Sequence, residues 1–119
     1  MTTIAPSEVA IEAASVGRSF GKRQAVANVS FDVRPAEIFG LLGPDGAGKT
    51  TLMQLFAAIL DPTEGYCRVL GLDSVRNAAA ISARIGYMAQ GFTLYERLSV
   101  DENIAFAAEV RGISGETWQ

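Results

Sequence analysis

The sequence lacks histidine altogether and contains a single cysteine, Cys67. Within these residues the two shortages exclude a disulfide, a zinc site built from cysteine and histidine, and a cysteine–histidine nucleophile pair. Cys67 lies in a short run, 66–70, that is predicted to form a strand. We therefore expect a reduced and buried thiol with a packing role.

Long apolar runs and blocks of like charge are also missing. The longest apolar run, 55–60, is far shorter than the roughly 20 residues that a membrane-spanning helix needs. The chain has 119 residues, of which 49% are hydrophobic, which predicts one globular domain. A net charge of −3 without a basic cluster argues against a nucleic-acid partner. Residues 1–8 do not resemble a signal peptide, so we expect a flexible tail and a cytoplasmic protein.

The sequence does contain a glycine-rich stretch of the pattern G-x-x-x-x-G-K-[ST], namely Gly43-Pro44-Asp45-Gly46-Ala47-Gly48-Lys49-Thr50. The apolar run before it, 38–42, is predicted to form a buried parallel strand. After it, apolar residues recur with helical spacing at Leu52, Leu55, Phe56, Ile59 and Leu60. A strand, a glycine-rich loop and a helix in this order form the context that a phosphate-binding loop requires.

The residue types in this loop explain its chemistry. Glycines allow successive backbone N–H groups to converge on an anion, and the following helix adds the positive end of its dipole. Lys49 is predicted to contact the β- and γ-phosphates of a nucleotide, and the Thr50 hydroxyl is predicted to bind Mg²⁺. Thr51 can contribute a hydroxyl or N–H group near the α-phosphate. The alternative is a glycine-rich turn followed by a surface lysine, and the flanking elements disfavour it.

The remaining elements are predicted from periodicity and from turn residues. A capping box, Ser99 with Glu102, should begin a helix that ends near Arg111, with Gly112 as its stop. One face of that helix would carry Ile104, Ala107, Ala108 and Arg111. Strands are predicted over 9–20, 29–33, 66–70 and 85–88, and a short helix over 77–84 with Asn77 as its N-cap.

Taken together, these segments resemble the first half of the nucleotide-binding subunit of ATP-binding cassette (ABC) transporters, over about residues 9–119. Four features carry the resemblance in chain order: a strand that ends in an aromatic residue, the phosphate loop, a Pro-Thr-x-Gly…Val-x-Gly-x-Asp-like stretch, and a Q-loop-like entry. They are Phe20, 43–50, 61–73, and Ile85-Gly86-Tyr87-Met88-Ala89-Gln90. The following segment, 94–104, is similar to the corresponding segment of bacterial export-type cassettes.

The resemblance implies an α/β fold of the P-loop NTPase class: a partial RecA-like core, an N-terminal antiparallel β subdomain and the start of a helical subdomain. It implies ATP and Mg²⁺ as cofactors. Gln90 would help to bind Mg²⁺ and couple to the partner, and Phe20 would stack on adenine. The implied partners are a membrane permease, which would hold the protein at the inner face of the membrane, and a second cassette. From the residues alone, Phe20 could instead belong to the core, and Gln90 could be a polar residue after a strand.

Two residues depart from the family pattern. Asp45 stands where most cassettes carry asparagine, and a carboxylate near a triphosphate is unfavourable unless it points away or pairs with a cation. Ala89 replaces the proline that usually precedes the Q-loop glutamine, which should loosen that turn. Neither change removes a contact with phosphate.

The family continues with a signature sequence, an acidic Walker B pair and a switch histidine, and none of these is in this sequence. We therefore expect this polypeptide to bind ATP without turning it over. The leading interpretation is the ATP-binding part of an exporter subunit. The alternatives are a soluble cassette without a transport role and a non-catalytic or truncated nucleotide-binding module.

Overall fold

The computed structural model describes residues 9–91 and 94–113, and the predicted tail, 1–8, lies outside them. The chain divides into two compact units, Met1–Tyr87 and Met88–Gln119. The first contains β1 (Ile11–Phe20), β2 (Arg23–Val33), α1 (Lys49–Phe56), β3 (Glu64–Val69), β4 (Leu72–Asp73) and α2 (Ala78–Ser82). The second contains α3 (Val100–Val110).

An antiparallel sheet in the order β2-β1-β3-β4 forms the first unit. β1 and β2 pair from Ile11 opposite Val33 to Phe20 opposite Arg23, so a tight turn at residues 21–22 joins them. This confirms that antiparallel pairing precedes the phosphate loop. β2 begins earlier than expected because 23–28 continue the same ladder with β1 across a bulge.

Helix α1 packs its apolar face on this sheet. Leu52, Leu55 and Phe56 are buried, as the helical spacing indicates. They join a core formed with Ala13, Val16, Val26, Cys67, Val69 and Ile81. Cys67 is a free thiol with no exposed surface, and burial raises its pKa to about 11, so it is protonated at neutral pH. This confirms the expected packing role.

The helix ends earlier than the pattern predicts. Ala58 adopts a left-handed conformation, with φ of 60°. Its N–H group donates to Leu55 O at 3.2 Å, and the Ile59 N–H group donates to Gln54 O at 3.0 Å. These bonds form a Schellman motif, which satisfies the last carbonyls and ends the helix at Phe56. Ile59 therefore leaves the apolar face and is 56% exposed.

Two predicted strands, 38–42 and 85–88, do not form, and neither segment joins the sheet. Phe39 stacks on Phe31 with ring centroids 4.9 Å apart, whereas Ile38 and Leu42 are almost fully exposed. Met88 is 88% exposed. The apolar runs identify segments that carry hydrophobic side chains, but a strand also needs a neighbouring strand to bond with. No such neighbour lies among the described residues.

The short helix is near its predicted place. It is Ala78–Ser82, and Asn77 occupies the N-cap position, as expected. The Asn77 side chain does not cap the helix, however, because its Oδ1 accepts a hydrogen bond from the Asp73 N–H group at 3.3 Å.

The second unit begins its helix with the predicted capping box. The Glu102 N–H group donates to Ser99 Oγ at 3.1 Å, and the Ser99 N–H group donates to Glu102 Oε1 at 3.0 Å. The hydrogen bond from the Ser99 N–H group lowers the pKa of the Glu102 carboxyl group. Gly112 follows the helix with φ of 72°, which confirms the predicted stop. Of the face predicted for α3, Ala108 is buried whereas Ile104, Ala107 and Arg111 are exposed.

Candidate functional site: a phosphate-binding loop

The glycine-rich loop lies directly before α1 and packs against β2. Gly46 and Gly48 have φ values of 82° and 90°, which favour glycine. A Cβ atom on Gly48 would lie 2.3 Å from the Ala25 carbonyl oxygen, so a side chain there would collide with the backbone of β2. The glycine therefore sets both the turn into the helix and the distance between the loop and the sheet.

Lys49, the first residue of α1, turns its side chain back over the loop. Its Nζ donates hydrogen bonds to Gly43 O and to Pro44 O, the second at 3.2 Å. These carbonyl oxygens hold the ammonium group at the mouth of the loop. An anionic phosphate oxygen makes a stronger, charge-assisted bond than a neutral carbonyl, so an incoming phosphate can take over this ammonium group.

The positive end of the α1 helix dipole lies next to the same loop. The Leu52 N–H group donates to Gly48 O at 2.9 Å. The first N–H groups of an α-helix lack a partner within the helix, and this end of α1 adjoins the loop. No acidic residue lies in the first turn of α1, all of whose residues the structure describes. The positive end of the helix dipole is therefore not neutralised by a carboxylate within the first turn of the helix.

Asp45 is exposed at the tip of the loop. The loop turns tightly there, because the Ala47 N–H group donates to Pro44 O at 3.2 Å. An exposed carboxylate remains in a high dielectric, where its repulsion of phosphate is weakest. The position of Asp45 thus agrees with a loop that still admits anions.

The residues suited to a metal ion are polar rather than acidic. Thr50 is exposed in the first turn of α1, whereas Thr51 is half-buried. Within residues 9–91 and 94–113, no cluster of histidine, cysteine, aspartate or glutamate could hold a metal. Mg²⁺ fits such a site, because it binds nucleotides through few protein oxygens, phosphate oxygens and retained water.

A cavity of about 480 Å³ opens beside the loop, between β2, residues 41–42 and the start of α1. Its lining includes Ala25, Phe31, Leu41 and Gly48. The role of Ala25 could not be predicted from its side chain, because Ala25 contacts the loop through its backbone oxygen. The glycine at position 48 is the feature of the sequence that is consistent with a close approach between the loop and the backbone of β2.

Phe20 lies at the end of β1 and is 37% exposed, outside the buried core. The guanidinium groups of Arg18 and Arg23 lie over its ring, 4.6 and 5.4 Å from the centroid. Phe20 pairs with Arg23, and Ala25, two residues further along β2, faces Gly48. The aromatic residue and the phosphate loop therefore flank the same end of β2.

Gln90 belongs to the second unit, where it is exposed in a bend after segment 85–89. The segment that follows is tied to α3. The Tyr95 N–H group donates to Asn103 Oδ1 at 2.9 Å, and the Asn103 side chain donates to Tyr95 O at 3.1 Å. The role expected for Gln90 stays a prediction.

Comparison with known proteins shows the family of the chain. The family described as ABC transporter matches residues 26–118. A probable multidrug ABC transporter ATP-binding protein, YbhF of Escherichia coli (strain K12), is 43% identical over 92% of this chain and 19% of its own length. The ABC transporter ATP-binding protein NatA of Bacillus subtilis is 37% identical over 76% of this chain and 37% of its own. The sulfate/thiosulfate import ATP-binding protein CysA of Gloeobacter violaceus is 38% identical over 82% of this chain and 28% of its own length.

Solved structures show the same fold. An ATP-binding subunit of an ABC transporter superposes with a TM-score of 0.77 and 24% identity, over 89% of this chain and 44% of that one. The dimeric bacterial ABC transporter cassette MJ0796 superposes with a TM-score of 0.75 and 24% identity, over 89% of this chain and 51% of that one. The chain therefore spans about half or less of the length of each of these proteins. With the P-loop NTPase fold, the phosphate loop and the family match in agreement, the chain belongs to the ABC transporter family, as a stretch of its ATP-binding protein.

Proposed function

We propose that the chain binds Mg-ATP through the loop 43–50. The arrangement of Lys49 carries this proposal, because its ammonium group is held over the loop at the positive end of α1. Lys49 would contact the β- and γ-phosphates, Thr50 would supply a hydroxyl oxygen to Mg²⁺, and Thr51 would lie near the α-phosphate. Phe20, which is exposed at the end of β1 beside the start of β2, would stack on the adenine.

We propose further that the whole protein is the ATPase subunit of an exporter and acts with a membrane permease and a second cassette. The name of YbhF, a probable multidrug transporter protein, supports the exporter, and the dimeric cassette MJ0796 supports a pair of cassettes. Gln90 and the loop after it would pass the nucleotide state to the permease. Within the part of the chain that the structure describes, no helix has the length and apolar character to cross a membrane. In this proposal, a permease would hold this region at the cytoplasmic face of the membrane.

Titration with a fluorescent ATP analogue tests the proposal directly. We expect saturable binding in the presence of Mg²⁺ and binding weakened by about ten-fold when EDTA removes the metal, because the ion neutralises charge that the loop alone must otherwise balance. Unlabelled ATP should displace the analogue. A titration with no saturable binding in Mg²⁺ would contradict the proposal.

The adenine contact has a separate test. Phe20→Ala should weaken ATP binding by about 1–3 kcal/mol, which is the range of aromatic–base stacking, and should leave binding of inorganic tripolyphosphate nearly unchanged. Competition against the fluorescent analogue measures both ligands. Equal losses for the two ligands would show that Phe20 only supports the fold.

A further inference from the structure

The end of β1 that carries Phe20 is held by the loop that follows α1. On the side facing β3, strand pairing stops at Gly17 opposite Glu64. Beyond that point β1 is bonded to the loop residues 61–63 instead of to β3. The Thr63 N–H group donates to Gly17 O at 2.8 Å, and the Thr63 hydroxyl group donates to the same oxygen at 3.2 Å. The Thr63 oxygen also accepts a hydrogen bond from the Ser19 N–H group at 3.2 Å.

The same loop fixes the guanidinium group that lies over the Phe20 ring. Arg18 Nη1 donates to Asp61 O at 2.6 Å, and Arg18 Nε is shielded from solvent. From this anchored position the guanidinium group lies 4.6 Å from the ring centroid. Arg23, the other arginine over the ring, is exposed at the start of β2. Arg18 is thus the anchored contact of the ring.

We propose that Thr63 and Arg18 are positioning residues for the Phe20 ring and thereby set the affinity for the adenine base without touching the nucleotide. The proposal rests on the function proposed for Phe20. It also gives a role to the Asp61-Pro62-Thr63-Glu64-Gly65 stretch, which belongs to the family resemblance but to which the sequence alone assigns no function. Residues 61–63 are the last part of the connection, 57–63, between α1, which begins at the phosphate loop, and β3. They therefore fix the ring relative to the site of the phosphates.

The physical reason is the cost of ordering an exposed ring. Phe20 is 37% exposed and can take several orientations unless its neighbours restrict it. A ring that is already held over a fixed guanidinium group loses less freedom when a base stacks on it. Loss of the Thr63 hydroxyl group removes two of the hydrogen bonds that hold residues 17 and 19, so the ring becomes more mobile.

A double-mutant cycle on the full chain tests the proposal, with ATP and inorganic tripolyphosphate as ligands. Thr63→Val keeps the shape of the side chain and removes the hydroxyl group. We expect it to lower ATP affinity by about 3- to 10-fold, a part of the stacking contribution, and to leave tripolyphosphate binding unchanged. Thr63→Ser should behave like the wild type. In the Phe20→Ala background, Thr63→Val should have no further effect on ATP.

Ser30→Ala is the matched control, because Ser30 Oγ, on β2, also accepts a hydrogen bond from a backbone N–H group of β1, that of Ser15, at 2.8 Å. Ser15 lies five residues before Phe20. The Ser30→Ala change should alter the affinity for neither ligand. If Thr63→Val does not fold, as judged by circular dichroism, Arg18→Met takes its place in the same cycle. An unchanged ATP affinity, an equal loss for tripolyphosphate, or the same loss in the Phe20→Ala background would overturn the proposal. If Phe20→Ala itself leaves ATP affinity unchanged, the adenine contact fails and the positioning role fails with it.

Discussion

Replacing Lys49 by alanine is expected to lower the affinity for Mg-ATP by about 2–3 kcal/mol, on the order of 100-fold. The side chain donates to Gly43 O and Pro44 O across the mouth of the loop, so its charge lies where the phosphates would enter. Removing it leaves the helix N-terminus and the backbone N–H groups as the attraction for a highly charged anion. Titration of the fluorescent ATP analogue into both proteins measures the difference.

Tripolyphosphate should lose as much affinity as ATP in Lys49→Ala, since the lysine contacts phosphate and not the base. Arg84→Ala is a suitable control, because it removes one exposed positive charge from the same unit, beyond the end of α2. A general effect of net charge would weaken binding in both variants. Equal ATP affinities for the wild type and Lys49→Ala would show that this loop is not the nucleotide site.

The loop and the helix after it could be predicted from the sequence because their signals are local. Gly48 and Lys49 are defined by backbone conformation and by neighbours a few residues away. The capping box at Ser99 is equally local, and both of its hydrogen bonds form. Such features depend on the sequence itself more than on distant packing.

The strands at 38–42 and 85–88 show where that reasoning fails. Their apolar composition indicates burial, but pairing depends on a neighbour that the local sequence does not specify. Ile38 is fully exposed although its run predicts a buried strand. Likewise, the contact between Gly48 and Ala25 O joins distant parts of the chain through a backbone atom, and no side-chain pattern at Ala25 predicts it.

The largest effect on stability is expected at Gly65, the second residue of β3. Its φ is 68°, and a Cβ atom there would lie 2.3 Å from both Ala14 O and Ser15 O. β1 bulges at this point, because its register with β3 shifts between Ala14 and Gly17. The bulge brings two carbonyl groups towards β3, and only a residue without a side chain fits between them.

Gly65→Ala should therefore lower the free energy of unfolding by about 4 kcal/mol, which combines about 1–2 kcal/mol for a left-handed alanine with the separation of β3 from β1. Gly21→Ala is the matched control. Gly21 has φ of 61°, but among the described residues outside its immediate chain neighbours no atom lies within 4 Å of a Cβ built there. It should cost only the conformational part, about 1–2 kcal/mol. Urea denaturation followed by circular dichroism compares the two. Equal losses would mean that the backbone conformation, and not the close approach of β1, requires glycine at position 65.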